Sequence, residues 1–177
     1  MIVGKWFVQN HKDNQESNLI PFTHRYFLRA AALQGAYEIT GFGRFQRVAR
    51  RYVRQGVRLQ QEGGELLERG AYDASYHMVG VAFAGRYYAL TSHQNTKKSL
   101  LVAIPLAVER FKKGVSEEGV VYLEEGSRTE TELSREGVAK KFDFKHTSKA
   151  LNFTSIMLEQ SEIEQMAHLI LSYYDKM

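Results

Sequence analysis

The side chains best suited to chemistry in this sequence are arginines, gathered in its first third. Between Phe22 and Arg58 lie Arg25, Arg29, Arg44, Arg47, Arg50, Arg51, Arg54 and Arg58, with no lysine and with Glu38 as the one acid. A guanidinium is planar, keeps its charge, grips phosphate bidentately and stacks on flat rings, so an arginine cluster points to anionic, base-bearing partners. Read as a strand, the segment from Arg25 alternates so that Arg25, Phe27 and Arg29 share one face. A ring between two guanidiniums is the surface that an unpaired nucleic-acid strand needs, since every base has a π-face and every nucleotide a charge. Trp6, Tyr72, Tyr76, Arg86 and Tyr88 are candidates to extend it. The same aromatics would equally serve to pack a core, and the arginines to solvate a surface.

Other chemistries find less support. The six histidines (His11, His24, His77, His93, His146, His168) show no metal-ligand spacing. His146-Thr147-Ser148 is a single His-x-Ser without the second copy that a two-histidine phosphoesterase would require. Gly41-x-Gly43 and Gly63-Gly64 lack the residues that phosphate loops place after their glycines. The absence of cysteine excludes disulfides, thiolate zinc sites and cysteine nucleophiles. Seven glutamates between Ser116 and Glu136 (Glu117, Glu118, Glu124, Glu125, Glu130, Glu132, Glu136) read as an acidic loop, followed by a second basic stretch at Lys140, Lys141, Lys145 and Lys149. The expectation is a protein without catalysis, metal or cofactor.

The elements that must position these residues come from periodicity. The 177 residues, 44% of them apolar, are enough for a packed core. Ile2 to Val8 reads as a strand. Arg25 to Leu33, a Gln34-Gly35 turn and Tyr37 to Thr40 read as a hairpin. Phe45, Val48, Ala49, Tyr52 and Val53 recur at helical spacing, with Arg44, Arg47, Arg51 and Arg54 on the other side and Gly56 as a C-cap. Val57 to Glu62, Tyr76 to Phe83, Arg86 to Thr91, Ser99 to Ile104, Val120 to Leu123, Phe142 to His146 and Leu151 to Leu158 read as strands. Pro105 opens a short helix ending at Gly114. A last helix follows a Ser161/Glu164 capping box and carries Ile163, Met166, Ala167, Ile170 and Tyr174 as its apolar stripe. Hairpin-then-helix units thus recur three times.

The segment from Phe42-Gly43 through Ala49, Tyr52 and Gly56 to Glu62-Gly63 resembles the helix and following strand of the bacterial-type single-stranded DNA-binding proteins, an OB-fold family. Tyr76 to Gly85 is similar to that family's last barrel strand. Departures are Gln55 in place of a lysine, Gln61 in place of an inward aliphatic, and the missing glycine-rich tail. The resemblance implies a five-stranded barrel plugged by one helix and a role in DNA replication or recombination.

These observations combine into an expectation of a mainly β, α+β protein. An OB-like barrel occupies residues 1–92, and a smaller strand-rich region ending in a long helix occupies 93–177. The expected function is binding of single-stranded DNA, with RNA as a variant, by a cytoplasmic homo-oligomer that engages neither membrane nor small-molecule substrate. The rival from another class is a protein–protein adaptor, or a viral or plasmid assembly module, on the same scaffold.

Overall fold

The computed structural model describes residues 22–123, 129, 132–133 and 137–176. Six helices account for most of them: α1 (Thr23–Thr40), α2 (Gly43–Leu59), α3 (Ala74–Leu90), α4 (Gln94–Lys112), α5 (Phe144–Leu158) and α6 (Ser161–Tyr174). Among the described residues there is no strand, only isolated bridges such as Val115 with Val121. The mainly β, OB-like barrel is therefore corrected to an all-helical fold, and the three hairpin-and-helix units disappear with it. The expected strand Ile2 to Val8 lies outside the described residues, as does Trp6.

Each misread strand has a local cause. In α1, the Leu28-Arg29-Ala30-Ala31-Ala32-Leu33-Gln34 run consists of strong helix formers, and Gly35 sits inside the helix instead of making a turn. Burial follows the helical period at Thr23, Tyr26, Phe27, Ala30, Leu33 and Gln34. The helix ends at Gly41, whose φ of 67° places it in the left-handed region and whose N–H donates to the Tyr37 carbonyl. α2 buries the five apolar positions expected of it, but runs through Gly56 to Leu59. Gly56 is no cap: the Phe27 ring fills the space where its Cβ would stand.

α3 is the central element, packed against α1, α4 and α5. It is buried nearly all round, so its sequence lacks the one-sided stripe that marks a helix and reads like a run of strand residues. Its start is set by Asp73, whose carboxylate accepts from the Tyr76 N–H and from the N–H and hydroxyl of Thr129. α4 absorbs Pro105 in its interior, where the expected short helix would have begun. α5 begins at an Asp143 N-cap. α6 buries Ile163, Ala167 and Ile170, with Met166 and Tyr174 packed beside them, as the stripe predicts. Its N-cap, however, is Gln160 without a side-chain bond, so the Ser161/Glu164 capping box is not formed as expected.

The core contains one fully buried imidazole. His77 Nδ1 accepts from the Leu66 N–H at 3.1 Å, which leaves Nε2–H to donate to the Ala107 carbonyl at 2.9 Å. That pair ties α3 to α4 and to the loop before it. Burial is the main cause holding the imidazole at a pKa of about 4, so it is neutral. Helices on both sides of residues 92–93 contribute to one apolar cluster running from Tyr26 to Ile170. No described helix is long and apolar enough to cross a membrane.

Candidate nucleic-acid interface

α2 packs mainly on α1 and more lightly on α4. Phe45, Val48, Ala49, Tyr52 and Val53 turn inward, so Arg44, Arg47, Arg51, Arg54 and Arg58 must turn outward, and all five are exposed. The helix carries six arginines and not one acid. Arg44, Arg47, Arg54 and Arg58 form no ion pair with a described residue. At about 1.5 Å per residue the row from Arg44 to Arg58 is roughly 21 Å long. At its start the Phe42 ring is 50% exposed, edge-on to Phe45 at 5.2 Å.

The row continues toward α4. His93 caps that helix, accepting from the Thr96 N–H. Its imidazole is held below the ordinary histidine pKa by desolvation and then by Arg50 and Arg54. Lys97, one turn on, places its ammonium 4.8 Å from the Tyr88 ring. Arg50 and Arg54 thus lie near His93 at the start of α4, and Tyr88 lies against Lys97 of that same helix.

The remaining expected residues are redistributed. On a strand Phe27 lies with Arg25 and Arg29; on a helix, two residues are about 200° of rotation, so Phe27 turns away from both. It is 2% exposed and shares an interior gap with Ala103, Ile104 and Ala107 of α4. Phe27 as a stacking platform is therefore corrected to a core residue. Arg25 is exposed, its guanidinium 3.9 Å from the Phe22 ring. Arg29 lies 5.8 Å from the Tyr52 ring. Tyr76 stacks on His24 at 4.9 Å, and its hydroxyl accepts from Lys140, which also pairs with Glu132. Tyr72 lies beneath the Arg110 guanidinium at 4.0 Å and against His77. These two half-buried rings already have partners on the protein, which leaves little face for a base.

Arg86 belongs to a grouping that the sequence did not reveal. Val81 and Ala84 of α3 face α4 through the same interior gap as Phe27, so Phe83 and Arg86, each two residues further, turn to the opposite side. There they meet His146, Lys149 and Phe153 of α5 around a groove of about 330 Å³. A basic and aromatic pairing from two helices more than sixty positions apart leaves no local signal. Among the described residues no three His, Asp or Glu side chains converge as a metal site would require. Comparison with family models, with curated proteins and with solved structures finds no match to this chain.

Proposed function

We propose that the chain binds single-stranded nucleic acid, DNA in the first instance, without catalysis, and that it does so along the outer face of α2. The observation that carries this reading is the exposed row Arg44, Arg47, Arg51, Arg54 and Arg58 on a helix without an acid. Such a row repels itself along its length, and a polyphosphate relieves that repulsion while releasing counterions. Exposed Phe42 at one end supplies a ring for an unpaired base, which favours single strands over duplex. α2 is an outer helix and not the plug of a barrel, so its arginines outrank Arg25 and Arg29 as the binding face. A fluorescence titration with poly(dT), duplex DNA and RNA at two salt concentrations tests the reading. Tightest binding to the single strand, weakening with salt, is expected. Equal or tighter binding to duplex would remove the single-strand preference.

The protein–protein reading has its own support. α4 exposes Leu101, Val102 and Leu106, with Val102 at 70%, and an apolar helix face of this kind suits contact with a second copy or another protein. Self-association thus rests on this face, since the described residues form no strand whose edge a second copy could pair with.

A further inference from the structure

We infer that the groove between α3 and α5 is a pocket for one nucleotide, with its ring against Phe83 and Phe153 and its phosphate between Arg86 and Lys149. This pocket is separate from the α2 row and does not depend on it.

The groove arises from the way the two helices meet. Gly85 lets α5 come close: a Cβ there would lie 2.8 Å from the Phe153 Cβ. Above that contact, Ala82 leaves room, and the longer side chains of Phe83, Arg86, His146, Lys149 and Phe153 form the walls. The lining contains two permanent cations and no acid. Arg86 and Lys149 form no ion pair with a described residue, so two like charges line one groove without a counter-charge from the described residues, an arrangement that an anion stabilises. The imidazole is held in place as well. Asp143 Oδ1 accepts from the His146 N–H at 3.0 Å, and Oδ2 from Nδ1 at 2.8 Å, which leaves Nε2 as the unengaged ring nitrogen. The His146 ring lies 5.7 Å from Phe83 at 36°, so the imidazole and phenyl together present a partly exposed aromatic wall. A volume of about 330 Å³ is at the small end of ligand sites, suited to one nucleotide and not to a run of them. A planar ring bearing a phosphate meets all three features: aromatic wall, paired cations and size.

The ligand could be a free mononucleotide or the phosphorylated end of a strand, and the experiment separates the two. The His146 ring resonances of the full chain are followed by NMR while AMP, adenosine or inorganic phosphate is added. AMP is expected to shift them through ring currents and to bind at least about tenfold more tightly than either part alone. Arg86→Gln with Lys149→Gln, both exposed positions, is expected to weaken AMP about tenfold or more, whereas Arg47→Gln/Arg51→Gln/Arg54→Gln leaves it unchanged. Competition by a 5′-phosphorylated oligonucleotide, but not by its unphosphorylated form, would support the pocket and assign it to strand ends; competition by neither would support it as a site for free nucleotide. No shift with AMP, an equal response to inorganic phosphate, or a response unaltered in the Arg86/Lys149 variant would overturn the inference.

Discussion

The ring of Phe27 lies on Gly56, so close that a Cβ at that glycine would come within 2.7 Å of the ring's Cζ. This contact joins α1 to α2 and explains why both residues depart from their expected roles. A stacking platform becomes core, and a helix cap becomes the floor beneath a ring. Phe27→Ala is expected to cost about 3–5 kcal/mol of stability, and Gly56→Ala about 1–3 kcal/mol through overpacking, both read from urea unfolding. Oligonucleotide affinity of the folded Phe27→Ala protein should match that of the unaltered chain; a lowered affinity would return Phe27 to the binding surface.

Acid should destabilise the fold through His77. Its folded pKa of about 4 lies below the ordinary 6.5, so between those values the unfolded chain binds the proton that the folded chain refuses. The contribution of this group is fully present above pH 6.5 and falls as pH drops toward 4, by roughly 3 kcal/mol across the window. Urea midpoints at successive pH values should decline over that range. His77→Gln should be less stable at neutral pH, with a flatter decline; an equally steep decline in that variant would assign the acid sensitivity elsewhere.

Asp73 holds the start of α3 and the Thr129 backbone at once. Asp73→Ala should cost about 2 kcal/mol, more than an ordinary cap on an exposed helix, because the buried Thr129 donors lose their acceptor too. Asp73→Asn should recover part of that loss. Thermal unfolding of the two variants provides the comparison, and equal melting temperatures for all three proteins would show that the cap carries nothing.

If α4 meets a second copy through Leu101, Val102 and Leu106, sedimentation at tens of micromolar should show a species heavier than the 20.3 kDa chain. Val102→Glu should return it to the monomer. A lone monomer for the unaltered protein, with and without oligonucleotide, would remove self-association.

What could be read directly from the sequence depended on one-sidedness. α2 and α6 each bury one stripe and expose the other, and their apolar positions identified both helices correctly. α3 is enclosed by three neighbours, so Tyr76 to Phe83 is apolar apart from His77 and shows no one-sided stripe, a pattern that periodicity cannot distinguish from a strand. Gln34-Gly35 carries a turn signal and Pro105 a helix-start signal, yet the surrounding helix formers and tertiary packing override both. The Asp73 and Asp143 caps were the available signs of α3 and α5. At the candidate site, the arginine row was evident because its residues are neighbours on one helix. The Arg86–Lys149 groove was not, since only the packing of α3 on α5 brings it together.

The dependence of affinity on salt tests the α2 reading most directly. Log affinity for an oligo(dT) is measured against log salt concentration for the unaltered chain and for Arg47→Gln/Arg51→Gln/Arg54→Gln, whose exposed positions leave the fold intact. Each single-strand phosphate contact contributes about 0.7 to the slope, so loss of three should make it shallower by about 2 and weaken binding at low salt. Arg25→Ala/Arg29→Ala should change it less. An unchanged slope and affinity in the α2 variant would contradict the assignment of binding to that helix.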